Sequence, residues 1–193
     1  MTRTSTAPSD GALLRLFAKA DPEAARDLTA RLAPRAFGVA LRVLGDRAEA
    51  EDAAQEAMMR LWRMAPEWEP GRAQVSTWLY RVTLNLCLDI RRRRRGGIAR
   101  LEDVPEPADP RADAAHHLQE KARARALQRA LDALPDRQRE AVVLRHLEGL
   151  SNPEIAEIME ISTEAVESLT ARGKRALGRA LAERREELGY RDG

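Results

Sequence analysis

LSNPEIAEIMEISTEAVESLTARGKRAL, residues 150–177, holds two short helical periods with barely a turn between them. Ser151 and Glu154 stand at the S-x-x-E spacing of a capping box, which starts a helix by satisfying two of its unpaired N–H groups. Ile155, Met159, Ile161, Val166 and Leu169 recur at the spacing that fills a wedge between crossing helices, and the small Ala156 lets the second helix approach closely. This is the pattern of a helix-turn-helix. Glu160 departs from it, because the turn commonly takes glycine, which reaches a positive φ without steric cost. The sequence therefore predicts either a small strain at Glu160 or a different turn.

Ser162 can cap the second helix, whose buried stripe continues from Val166 through Leu169, Gly173, Ala176, Leu177 and Ala180. The opposite face carries Glu164, Ser168, Ala171, Arg172, Arg175 and Arg179, with Thr163 and Glu167 at its head. Short side chains first and arginines afterwards suit a helix that reads base edges in a major groove and then holds phosphates. A carboxylate does not contradict this, since it can accept from cytosine N4.

Outward from this hairpin, the composition is that of helices. Ala, Leu, Arg and Glu dominate the 193 residues, 44% are hydrophobic and only 4% aromatic, so an all-α protein is expected. The net charge of +2 announces no partner, but its distribution is uneven. Residues 81–100 hold seven arginines against Asp89, and residues 101–113 hold five acids against Arg111. A lone cysteine, Cys87, excludes an intramolecular disulfide framework. No signal peptide and no membrane-length apolar run is present, so a cytoplasmic protein without membrane insertion is expected.

The acidic block lies in GGIARLEDVPEPADPRADAA, residues 96–115, which has prolines and glycines but no sustained apolar period. It reads as a flexible linker joining two small helical domains at 11–95 and 116–190, behind a disordered stretch at 1–10.

In the first domain, residues 50–63 give an unbroken helical stripe of Ala53, Ala54, Ala57, Met58, Leu61 and Trp62. Asp52, Gln55, Glu56, Met59 and Arg63 occupy the other face, which is either plain solvated surface or a partner-binding face. After a Pro/Gly loop comes STWLYRVTLNLCLDIRRRRR, residues 76–95, with Ser76 as a candidate N-cap. It is apolar nearly all round, yet Trp78, Arg81, Asn85, Asp89 and Arg92 share one narrow side, with five consecutive arginines at its foot. Cationic groups for phosphates, a ring for stacking and an amide for a base edge are what a melted nucleic-acid strand requires. An internal Arg81/Asp89 ion pair beside a core Trp fits the same residues.

No catalytic residues are expected. His116 and His117 lack metal-ligand partners at a suitable spacing, Cys87 has no neighbouring base, and phosphate-loop and dinucleotide signatures are absent, so neither metal nor cofactor is implied.

Taken together, LPDRQREAVVLRHLEGLSNPEIAEIMEISTEAVESLTARGKRAL, residues 134–177, is similar to region 4 of bacterial sigma factors. LGDRAEAEDAAQEAMMRLWR (44–63) and TWLYRVTLNLCLDIRRRRR (77–95) are similar to region 2. Their order and short linker resemble the extracytoplasmic-function (ECF) group of the sigma-70 superfamily. The resemblance implies a non-catalytic specificity subunit of RNA polymerase that directs promoter recognition, melting and transcription initiation. It implies that Asp52, Gln55, Glu56 and Met59 meet the polymerase β′ clamp helices, while the second domain meets the β flap. It places Trp78, Arg81, Asn85, Asp89 and Arg92 on the melted minus-10 strand, with Asn85 at a flipped base and the loop 69–75 helping to choose it. Thr163, Glu164, Glu167, Ser168, Ala171, Arg172 and Arg175 would read the minus-35 duplex. An anti-sigma factor is expected as a further partner. Other members often carry Arg where Glu167 or Leu169 stands, and more commonly Ala at Gly173, which leaves the promoter sequence open. A stand-alone helix-turn-helix regulator and a decoy for an anti-sigma factor remain as rival readings.

Overall fold

The computed structural model describes residues 8–69, 74–95 and 114–182, with side chains in the last segment from 119 onward. Among these residues there are eight α-helices and no strand. They are α1 (Asp10–Phe17), α2 (Pro22–Leu44), α3 (Arg47–Met64), α4 (Val75–Arg95), α5 (Ala114–Asp132), α6 (Asp136–Val142), α7 (Asn152–Met159) and α8 (Thr163–Ala182). A 3₁₀ turn follows α3, and a π turn, Val143–Leu147, extends α6. Residues 96–113 of the expected linker, residues 1–7, most of the loop 69–75 and the tail from 183 lie outside the described residues. Two local expectations change. Asp10, inside the stretch expected to lack structure, opens α1 behind a Ser9 cap, and α4 begins at Val75, so Ser76 falls inside its first turn rather than capping it.

The helices start where short polar side chains replace missing N–H partners. Asp21 accepts from the amides of Glu23 and Ala24, Asp46 from that of Glu49, and Ser162 from that of Ala165. Helix α2 ends at Gly45, whose φ of 69° demands glycine, and a Cβ there would stand 3.1 Å from Gln128 and Asp132. One core fills α1–α4, with Leu13, Leu14, Leu28, Leu32, Leu61 and Leu79 all essentially sealed from solvent.

A second core crosses between the halves of the chain. Val43, Leu44, Leu84 and Cys87 from the first half pack with Leu131, Val142, Leu144, Ile155 and Ile158 from the second. At its centre Arg139 is fully buried, and its guanidinium donates to the carbonyls of Leu131 (2.6 Å), Val43 (3.1 Å), Asp132 (2.6 Å) and Leu134 (3.0 Å). The final carbonyls of α2 have no intrahelical N–H to accept from. Their partners are side chains from elsewhere: Gln128 donates to Arg42 (3.1 Å), Arg139 and Arg91 to Val43, and Arg94 to Leu44 (2.9 Å). Removing a buried charged partner of this kind costs about 3–5 kcal/mol, so this cluster ties α2, α4, α5 and α6 into one unit.

In the hairpin, the capping box of Ser151 and Glu154 is complete, and Glu160 takes the left-handed conformation (φ 55°, ψ 47°) that the sequence places there. That conformation costs a non-glycine residue about 1–2 kcal/mol. Gly173 has a separate reason to be glycine: α6 lies on α8 there, and a Cβ would sit 2.5 Å from Val142 Cγ2 and 3.2 Å from the Gln138 carbonyl oxygen.

Alanine at 173 gains about 1 kcal/mol of helix propensity, yet overpacking against a stiff valine costs about 1–3 kcal/mol. We therefore expect Gly173→Ala to lower the denaturation midpoint and Val142→Ala added to it to recover part of the loss. Chemical denaturation of the three proteins checks this, and a Gly173→Ala protein more stable than the parent would refute the close approach.

Candidate nucleic-acid interface

Helix α8 is held at its inner face by the buried Val166 and Gly173, and this fixes what it shows outward. Glu164, Glu167, Ser168, Ala171, Arg172 and Arg175 are exposed, and Thr163 is half-buried at the helix start. Their roles differ. Glu167 accepts from the Asn152 side-chain amide (3.3 Å), which ties α8 back to α7, and Arg172 donates to the Ser168 carbonyl along its own helix (3.2 Å). Glu164 sits at the helix N-terminus, where its own backbone N–H and the Ser162 hydroxyl hold its carboxyl below the usual range, so it remains an acceptor at neutral pH. The face thus offers acceptors and small groups at its N-terminal end and guanidinium groups further along, a distribution suited to base edges and then phosphates.

Helix α3 turns Ala53, Ala54, Ala57 and Leu61 inward and shows Asp52, Gln55 and Met59 on the outside, with Glu56 partly covered. Met59 is one of three large apolar side chains exposed among the described residues, at 42%. Glu56 is gripped by Arg60 (2.8 Å) and Arg63 (3.4 Å). The Arg60 hydrogen bond holds its carboxyl below the usual range, so the patch keeps its negative charge beside an apolar contact point.

The polar stripe of α4 is partly covered at its N-terminal end and open to solvent further along. Trp78 is half-buried against the α1–α4 core, Arg81 is half-buried, and Asn85, Asp89 and Arg92 are exposed. The Arg81/Asp89 pair does not form. Asp89 pairs with Arg92 (3.6 Å), whereas Arg81 reaches into the second half, donating to the Glu157 carbonyl (2.5 Å) and pairing with the Glu160 carboxylate (3.0 Å). About three turns on, Arg91 (2.9 Å) and Arg95 (2.7 Å) both hold Asp136 at the start of α6. Burial pushes the Asp136 carboxyl up, but these two guanidinium groups outweigh it and hold it below the usual range. Between the two anchor points lies a cleft of about 530 Å³ lined by Arg81, Asn85, Arg92, Asp136, Glu140 and Glu160.

Sequence reasoning brought the stripe and the α8 face to light but missed the residues that join them: Arg139, Asp136, Glu140 and the Tyr80 hydroxyl, which donates to Glu148 (2.8 Å). A signal was present. Arg139 precedes the buried Val142 and Val143 by three and four residues, so its helical phase points inward. Among the described residues no group of three or more His, Cys, Asp or Glu side chains could hold a metal, and Cys87 is a buried thiol whose pKa burial pushes up to about 12. No helix among them is long and apolar enough to cross a membrane.

Comparison with known proteins agrees with this geometry. Residues 28–96 match the family described as Sigma-70 region 2, and residues 124–177 match Sigma-70, region 4. The chain is 37% identical over 167 residues to the ECF RNA polymerase sigma factor SigE of Mycolicibacterium smegmatis, which covers 83% of this chain and 63% of that protein. It therefore spans less than two thirds of that relative. It is 31% identical over 181 residues to the ECF RNA polymerase sigma factor SigW of Bacillus subtilis, covering 84% of this chain and 91% of that one. The solved structure of CnrH in complex with the cytosolic domain of CnrY superposes with a TM-score of 0.67 at 26% identity, covering 91% of this chain and 99% of the other.

Glu140 supplies a pH test of the packing beneath the cleft. It is 1% exposed, its Oε2 accepts from Arg137 (3.2 Å), and its Oε1 has no partner. Burial raises its pKa from 4.5 to about 7 against the attraction of Arg137 and Arg139, with Asp136 adding to the rise. The folded chain thus keeps a proton that the unfolded chain releases, and this contribution to stability is lost as pH rises from about 4.5 through about 7. Glu140→Gln should raise the melting temperature by roughly 10 °C at about pH 8 and leave it nearly unchanged at about pH 4.5. Calorimetry at both pH values checks this, and an equal gain at each would contradict the buried-charge account.

Proposed function

The chain belongs to the ECF group of the sigma-70 family, and on that footing we propose that it is a promoter-specificity subunit of bacterial RNA polymerase, itself without catalytic activity. The observation that supports this reading is two separate polar, arginine-bearing faces in one chain, on α8 and on α4. The outer face of α8 suits a duplex, whereas the narrow stripe of α4 suits a melted strand. A stand-alone helix-turn-helix regulator would have no use for the second face.

In this reading the region 11–95 docks on core polymerase through Asp52, Gln55, Glu56 and Met59, the last providing an apolar contact on the β′ clamp helices. Trp78, Arg81, Asn85, Asp89 and Arg92 then capture the minus-10 strand as it melts. Asn85 offers its side-chain amide to one unstacked base, and the arginines follow the phosphates. The region 116–190 places α8 in the minus-35 major groove and rests on the β flap. Bond formation in RNA belongs to the partner enzyme. An anti-sigma factor as regulator is part of the same proposal, and the likeness to CnrH, solved in complex with the cytosolic domain of CnrY, supports a protein partner for this fold. The absence of a membrane-length helix among the described residues fits a site of action in the cytoplasm.

Transcription in vitro tests the whole reading. Purified protein with core polymerase on a randomised promoter library should give transcripts whose upstream DNA shares two spaced motifs; no transcripts above background, from core active with another sigma factor, would refute it. On a promoter so obtained, Asn85→Ala should lower open-complex formation about 5- to 100-fold, the range of one good base contact, and leave binding to minus-35 duplex unchanged. Equal losses in both would make the α4 stripe merely structural.

A further inference from the structure

The base-reading end of α8 has no cation to read with. A recognition helix sets its N-terminal residues against base edges. In α8 that stretch, residues 163–171, contains neither lysine nor arginine. The first guanidinium, Arg172, folds back onto the Ser168 carbonyl (3.2 Å). The commonest specific contact in a major groove, a guanidinium or ammonium on guanine O6 and N7, is therefore closed to this end of the helix. What it carries instead are two carboxylates, Glu164 and Glu167, and the hydroxyls of Thr163 and Ser168.

The two carboxylates are not equivalent. Glu164 is turned to the start of its own helix, where its backbone N–H and the hydroxyls of Ser162 and Thr163 donate to it. A carboxylate so placed stabilises the helix N-terminus, and its work is local. Glu167 stands three residues further on, exposed, and its Oε1 accepts from Nδ2 of Asn152, the first residue of α7 (3.3 Å). Its Oε2 has no partner among the described residues. Asn152 is not needed for the cap of α7, because Ser151 and Glu154 complete that box by themselves. An exposed hydrogen bond adds little to the fold. Its effect is to hold the Glu167 carboxylate in one orientation on the outer face, with one oxygen left to accept.

We propose that Glu167 selects one cytosine in the minus-35 duplex by accepting from its N4 amino group, and that Asn152 is the positioning residue that aims the carboxylate. The inference rests on the reading of α8 as the duplex reader. The choice among the four bases follows from what each shows in the major groove. Cytosine presents an amino donor, whereas guanine presents the acceptors O6 and N7 and thymine the acceptor O4, which a carboxylate meets lone pair to lone pair. Adenine sets its N6 amino group beside the N7 acceptor, a pair that suits a side-chain amide and not a carboxylate. A wrong base thus leaves a negative group against an acceptor, so Glu167 rejects as well as selects. One such position separates the right base from the wrong ones by about 5- to 100-fold.

The test uses the full chain on core polymerase, with a promoter from the library selection above and each position of its minus-35 element varied among the four bases. Transcript counts then give a base preference at every position. The parent should favour cytosine, on one strand, at the single position that responds to Glu167. Glu167→Gln is nearly isosteric, keeps a good helix former and can still accept from Asn152. It should move the preference at that position to adenine, and Glu167→Arg should move it to guanine, with the other positions unchanged. Asn152→Ala should weaken the cytosine preference at the same position about two- to fivefold, whereas a merely structural loss would lower output from all the promoters alike. A preference that survives Glu167→Gln, or a responding position whose parent base is not cytosine, would overturn the proposal and leave α8 as the reader of the element. Full cytosine preference in Asn152→Ala would overturn the positioning role. Parent transcription indifferent to every base of the element would remove the duplex-reading role of α8 itself, and the proposal with it.

Discussion

A guanidinium sealed from water needs oxygen acceptors, and Arg139 makes four hydrogen bonds to carbonyls at and just beyond the C-terminal ends of α2 and α5. The C-terminal end of α2, the end of α5 and the start of α6 are therefore held together by one side chain. Burial pulls its pKa down only to about 10, so it stays charged at neutral pH and the bonds stay charge-assisted. Much else follows from this point. Arg91 and Arg94 complete the α2 carbonyls from α4, which fixes α4 against α6, and that in turn brings Asp136 to Arg95 and the α7–α8 turn to Arg81. The position of the α4 polar stripe beside the helix-turn-helix is a consequence of how the ends of α2 and α5 are satisfied.

This hub also gives the two halves different kinds of contact. The centre of the seam is apolar and closed, with Leu84, Cys87, Val142 and Ile158 in one core, whereas its rim is ionic. The two parts of the seam therefore differ in their response to solution conditions, because an exposed ion pair is screened by salt and apolar packing is not.

The helices, the hairpin and the outward faces of α3 and α8 were legible because each is a matter of periodicity within one element. Ser151 and Glu154 announced their cap, and the buried series through Val166 and Gly173 decided which side of α8 faces out. Glu160 was legible as an oddity but not as a contact, because its partner Arg81 lies in the other half of the chain and no local pattern joins the two. The same holds for Arg91 and Arg95, which belong to a run of five arginines that reads as a solvated cluster, although Arg91 is largely buried on Asp136 and the Val43 carbonyl. Long-range pairing of charges carries no period, and it is the part of the structure that joins the rims of the two halves of the chain.

The most direct measurement of the central claim is a hydroxyl-radical footprint of core polymerase carrying this protein on a promoter it selects, compared with the same promoter lengthened by half a helical turn between the two elements. One chain that reads both elements predicts two protected blocks about 25 base pairs apart, with the minus-35 block lost or the complex weakened when about 5 base pairs are inserted. A single protected block, indifferent to the insertion, would contradict the account.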